Sequence, residues 1–157
     1  MPPSSPRRYA LSALKAVLDT QILLRGALAR TRSLTARLYE AWRADQFFLL
    51  VSEPILAEVD AVTARADVLR KLRTTPHEAR AVLLRIRRRA VLVRPEVVIR
   101  MSRDPTDDKF LECGVAGGAD YIVSADADLL SLREVQGIPI VDAPTFWQKL
   151  AEHREPS

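Results

Sequence analysis

A chain of 157 residues with 48% apolar side chains suits one globular domain with a single substantial core, at roughly 100–200 residues per domain, rather than a disordered polymer. Its formal net charge of +4 favours an anionic partner, whether nucleic acid, an acidic protein or a membrane surface. With one cysteine (Cys113) and two histidines (His77, His153), a disulfide or a thiolate metal cage within one chain is excluded, and no apolar run approaches the ~18 residues of a membrane span.

Residues 1–14 are rich in Pro, Ser and Arg and read as a flexible arm without the apolar core of a secretory signal, so a cytoplasmic location is expected. Residues 15–152 read as the domain and 153–157 as a tail. Lys15–Asp19 is a short apolar strand ended by polar residues, and residues 20–30 carry no assigned element. Leu34, Leu38, Ala41 and Trp42 recur at helical spacing, which predicts a helix over 31–45. Phe47–Val51 is a second strand. Ser52 is a plausible N-cap for the next helix, with Pro54 in its first turn and Ile55, Leu56, Val59 and Val62 as its buried stripe.

The stretch 64–89 reads as helical and basic, broken where Thr75-Pro76-His77-Glu78 forms a capping box. Ala90–Arg94 is a third strand; Val97-Val98-Ile99 is either another strand or part of a helical turn. Thr106–Gly117 is a helix stopped by Gly117-Gly118. Tyr121–Ser124 is a strand, Leu129–Glu134 a short helix, Ile138–Val141 a last strand and 144–152 a C-terminal helix. Strands alternating with helices predict a parallel sheet covered on both faces, with ligands in the crevice beyond the strands' carboxyl ends.

Acids stand at those places. Asp19 ends the first strand, Glu58 lies at the edge of a helix's buried stripe, Asp107 and Asp108 open a helix, and Asp126 and Asp128 follow a strand. Hard cations such as Mg²⁺ or Mn²⁺ take carboxylate oxygens and water without histidine or cysteine. Such an ion activates water and stabilises the leaving oxygen in phosphodiester hydrolysis. Glu112 shares a helix face with Asp108, four residues away, and reads as a supporting group or extra ligand. Each acid also has a structural reading: strand end for Asp19, first-turn dipole partner for Asp107 or Asp108, N-cap for Asp126, solvated helix residue for Glu58. Arg73, Arg85, Arg87, Arg88 and Arg89 belong to an arginine-rich segment suited to a phosphate backbone, or equally to a solvated face.

The segments Val17-Leu18-Asp19-Thr20, Ser52–Val59, Asp104-Pro105-Thr106-Asp107-Asp108-Lys109-Phe110-Leu111-Glu112 and Ala119–Leu130 together resemble the PIN-domain family, in particular its VapC-like toxins of prokaryotic toxin–antitoxin pairs. The resemblance covers about residues 15–150. It implies a Rossmann-like three-layer α/β/α sandwich with a parallel, mostly five-stranded sheet, commonly dimeric. It also implies a Mg²⁺- or Mn²⁺-dependent endoribonuclease. Asp19, Glu58, Asp108 and Asp126 then match the metal-binding acids, Asp128 a further ligand, and Thr20 and Ser124 orienting hydroxyls. A small cognate antitoxin is the implied protein partner and RNA the substrate. Gln21 stands where the family often has Asn, which leaves a catalytically weakened RNA- or protein-binding module as the alternative. A phosphatase with an aspartate nucleophile ranks lower, because it needs a second acid at position 21.

Overall fold

A computed structural model describes residues 13–154, so the expected arm lies outside the described residues up to position 12, as does the expected tail beyond position 154. The described residues form six strands: β1 (Leu14–Leu18), β2 (Phe47–Val51), β3 (Val91–Leu92), β4 (Tyr121–Val123), β5 (Glu134–Val135) and β6 (Ile138–Val141). They run in the order β3-β2-β1-β4-β6-β5, parallel throughout except that β5 pairs antiparallel to β6. The helices are α1 (Thr20–Ala27), α2 (Leu34–Arg43), α3 (Glu53–Thr63), α4 (Ala66–Lys71), α5 (Pro76–Arg89), α6 (Asp108–Gly117), α7 (Ala127–Leu130) and α8 (Ala143–Arg154).

Strand alternation sorts the side chains into two cores, because successive residues point to opposite faces. Ala16, Leu18, Phe47, Leu49, Val51 and Val123 face one core, shared with α1, α2, α5 and α8. Val17, Leu50, Ile122 and Ile140 face the other, where Phe110, Leu111 and Cys113 of α6 cover them. Such burial on both faces is what makes β1 a continuous apolar run. The result is the three-layer sandwich expected from the sequence, with β1 pairing Ala16 to Leu49 on one side and to Tyr121 on the other.

Local signals set most element ends. Ser52 caps α3 by accepting from Ile55 N at 3.4 Å, and Thr75 caps α5 by accepting from Glu78 N at 3.1 Å. Gly118, at φ 65°, closes α6 in the left-handed region that glycine tolerates.

Three elements depart from the sequence reading. Residues 20–27 form α1, capped by Asp19, where no element was assigned. The predicted helix over Leu129–Glu134 ends at Leu130; Glu134 and Val135 instead fold back on β6 across Gln136 and Gly137. Both turn residues have positive φ (46° and 83°), the conformation a two-residue hairpin needs. Val97–Ile99 form neither strand nor helix; Ile99 is buried and its N–H donates to Glu112 Oε2 at 2.9 Å.

Helix α1 lies so close to α2 that a Cβ on Gly26 would stand 2.4 Å from the Thr35 carbonyl oxygen. Backbone cannot yield as a flexible side chain does. Gly26→Ala is therefore expected to destabilise the fold by about 1–3 kcal/mol, measured by urea unfolding.

Candidate active site

The acids converge because the strands that precede them are parallel, which places all their carboxyl ends at one edge. Asp19 follows β1 and is 5% exposed. Its Oδ1 accepts from Ile22 N at 2.9 Å; its Oδ2 accepts from Ser124 Oγ at 2.6 Å and from Ala125 N at 3.0 Å. Ser124 Oγ in turn accepts from Asp126 N at 2.9 Å, so one hydroxyl fixes the positions of two acids. A carboxylate offers about four lone-pair directions, and these three donors leave Oδ1 of Asp19 free to accept once more. Capping and ligation are compatible here. The hydrogen bonds to the Asp19 carboxylate come from Ile22 N, Ser124 Oγ and Ala125 N, and Gln21 lines the cleft beside it.

Glu58 projects from the second turn of α3, half-buried as its edge position predicts. The Thr20 hydroxyl donates to its Oε2, and Lys109 Nζ lies 2.7 Å from its Oε1. Lys109 also donates to the Thr106 carbonyl and sits 5.2 Å from the centroid of the Phe110 ring.

Asp107 and Asp126 both line the cleft, close enough for their charges to interact. Burial, then the charges of Asp126 and Asp104, push the Asp107 carboxyl up to about 6, with Lys109 opposing. Asp104 goes the other way, held below the usual range by the backbone N–H and hydroxyl of Thr106. Asp126 also caps α7, accepting from Asp128 N at 2.8 Å.

The cleft has a volume of about 520 Å³. Asp19, Glu58, Asp104, Asp107 and Asp126 line it over an apolar floor that includes Leu24, Phe110 and Leu129, with Arg25, Arg65 and Lys71 at its rim. Asp108, expected from the sequence to join these acids, is not among the residues that line this cleft. Asp108 Oδ1 turns away and accepts from Ser102 N at 2.8 Å and Met101 N at 3.2 Å. Together with Glu112 and Lys109 it lines an adjacent cavity of about 870 Å³, and Glu58 and Thr106 line both. Asp107, the acid read as equally suited to a helix dipole, takes the cleft position instead. Asp128 lies outside the cleft lining as well.

Three of the five arginines expected to hold RNA have structural partners for their guanidinium groups. Arg85 donates to Tyr39 Oη at 3.2 Å, Arg87 pairs with Glu53 at 2.7 Å, and Arg89 reaches the Arg43 carbonyl at 2.8 Å and Asp45 at 3.3 Å. The Arg73 carbonyl accepts from Arg30, and Arg88 is exposed. None of the five lines the cleft. The rim cation Arg25 was missed because it sits in α1; Arg65 and Lys71 lie within the basic stretch, but nothing in their spacing separates them from its other members.

An acid-lined crevice with Arg25, Arg65 and Lys71 among its lining stands at the carboxyl ends of a parallel sheet in an α/β domain. A sequence model of the PIN domain matches residues 15–128, well over half of the chain, and the chain belongs to the PIN-domain family. PIN domains are typically nucleases, hydrolases that act on nucleic acid and generally use divalent metal ions. Compared with curated proteins, the sequence finds no match. Among the described residues no helix is long and apolar enough to cross a membrane.

The residues present fit a hard divalent ion. The acids lining the cleft offer oxygen donors, and the Asp107 carboxyl, raised by burial and then by the charges of Asp126 and Asp104, is the group an added cation would relieve. Among the described residues no three acids already stand as an ion cage, so an ion would draw their side chains inward.

Because the folded-state pKa of Asp107 lies above its ordinary 3.8, its contribution to stability is fully present below about pH 4 and is lost as pH rises through about 6. Asp107→Asn should therefore melt at a higher temperature than the parent protein at pH 7.5 in EDTA, with the gap closing towards pH 4. Mn²⁺ should raise the melting temperature of the parent more than that of the variant. A lower melting temperature for the variant at pH 7.5 would contradict the assigned repulsion.

Proposed function

We propose that this PIN domain is a Mg²⁺- or Mn²⁺-dependent endoribonuclease, with Asp19, Asp107 and Asp126 as the ion-holding acids and Glu58 beside them. The observation that carries this reading is the shared cleft. Four acids from distant parts of the chain line one crevice, and Ser124 and Thr20 hold two of them by hydrogen bonds. Bound there, the ion would lower the pKa of a water molecule and neutralise charge on the phosphate.

The chain's own residues supply the rest. Ser124 and the Ile22 and Ala125 amides fix the Asp19 carboxylate, so it does not reorganise when substrate arrives. Arg25, Arg65 and Lys71 draw a phosphate backbone to the cleft mouth, positioning it without reading sequence. In-line attack of water on phosphorus leaves a 5′-phosphate and a 3′-hydroxyl. The ordered motifs that resemble VapC-like toxins support a place in a toxin–antitoxin pair, with a cognate antitoxin as protein partner and a homodimer as the working state. Asp128 and Glu112 serve in this reading only as neighbours that steady Asp126 and the loop at Ile99. A non-catalytic RNA-binding module is the reading that remains if binding occurs without turnover.

Asp19→Asn and Asp107→Asn should each reduce Mn²⁺-stimulated cleavage of single-stranded RNA at least ~100-fold while the fold persists, whereas Asp108→Asn should cost only a few-fold. Asn at position 108 can still accept from the amides of residues 101 and 102. A large loss in Asp108→Asn with normal activity in Asp107→Asn would reverse the assignment.

Binding separates from chemistry on an Asp19→Asn background. There, Arg25→Ala with Lys71→Ala should flatten the dependence of log K on log salt by about 1.4, at ~0.7 per phosphate contact on a single strand. Replacing Arg87 and Arg89 should leave that slope unchanged.

A further inference from the structure

Lys109 lines the larger cavity beside Glu58, which lines both cavities; the Lys109 side chain is 15% exposed and that of Glu58 25% exposed. Burial to this degree removes most of the solvent that weakens surface ion pairs. Its Nζ lies 2.7 Å from Glu58 Oε1 and donates also to the Thr106 carbonyl, so two of its three protons have fixed acceptors. The other oxygen of Glu58 accepts from Thr20. Both oxygens of Glu58 are thus already engaged and its charge is matched, unlike the acids at the opposite side of the cleft.

We propose that Lys109 is a built-in counter-ion that takes the place of a second divalent ion at Glu58, so that the cleft of this chain holds one ion rather than two. The proposal rests on the nuclease reading above and adds to it how many ions the site accepts. Lys109 acts here as a positioning residue. Its ammonium fixes the Glu58 carboxylate facing the cleft, and it keeps the net charge of the acid group low enough that one divalent ion satisfies it.

The test is a Mn²⁺ titration of the full chain followed by the spin-resonance signal of free Mn²⁺, which reads stoichiometry without any substrate. The parent protein should bind one ion, and so should Lys109→Arg, in which the positive charge is kept. Lys109→Met, which keeps an unbranched stem against Phe110 but removes the charge, should bind a second ion. That second ion should disappear in Lys109→Met combined with Glu58→Gln. Lys109→Gln, whose amide can still donate to Glu58, gives the same expectation should the Met variant fail to fold. Two ions on the parent protein, one ion with parental affinity on the charge-removed variants, or a second ion that survives loss of Glu58 would each overturn the proposal and leave the nuclease reading standing. No Mn²⁺ on any of these proteins would overturn both.

Discussion

The carboxylate of Asp19 is the point on which both fold and site depend. It ends β1, caps α1 through Ile22 N, and grips the chain just after β4 through Ser124 and Ala125. The backbone extends the same connection, since Asp19 N donates to the Val123 carbonyl at 2.9 Å. A buried carboxylate without such donors would be costly; with them it becomes a rigid junction between adjacent central strands. The direction in which Asp126 leaves β4 is set by the same serine, so geometry established for folding is inherited by the cleft.

Charge sets the next constraint. Two like charges ~5 Å apart repel by about 3 kcal/mol at an effective dielectric of 20. The cleft gathers acids from four regions of the chain, and the fold manages them unequally. Glu58 has an ammonium and a hydroxyl; Asp19 has three donors from the protein; Asp104 has Thr106. Asp126 has the Asp128 amide, while Asp107 is raised by burial first and then by the charges of Asp126 and Asp104. Asp107 is therefore the group an added cation would relieve.

Much of this was visible in the sequence, and the failures have physical causes. The strands, the Ser52 and Thr75 caps and the stop at Gly118 follow from local chemistry, so reading them needs no tertiary information. Asp19 and Asp126 stand immediately after apolar strands, and parallel pairing brings strand ends together whatever the connecting helices do. Asp107 and Asp108 are different. Neighbouring residues on a helix point about 100° apart, so one of an adjacent pair must face elsewhere. The three-residue 3₁₀ turn at Pro105–Asp107 sets that phase, and its effect on the direction of each carboxylate depends on the loop at Met101 and Ser102. Lys109 was hidden for the same reason, since nothing local shows that it reaches α3, 51 residues earlier. Helix α1 escaped notice because only eight residues form it, and the helix-weakening Gly26 among them is required by its contact with α2.

The arginine-rich helix shows how composition and location separate. Arginine is abundant in α5, yet three of its guanidinium groups tie that helix to α2, α3 and the turn at Asp45. A guanidinium with a fixed acceptor must give it up before it can hold a phosphate. Arg25, at the last turn of α1, and Lys71, at the end of α4, carry no such obligation among the hydrogen bonds and ion pairs described, and they stand at the cleft mouth. A strand of nucleic acid drawn by these two would cross the cleft between α1 and α4. Its backbone would then share the cleft with Asp19, Asp107 and Asp126, so a cation between phosphate and protein would lower the repulsion between them.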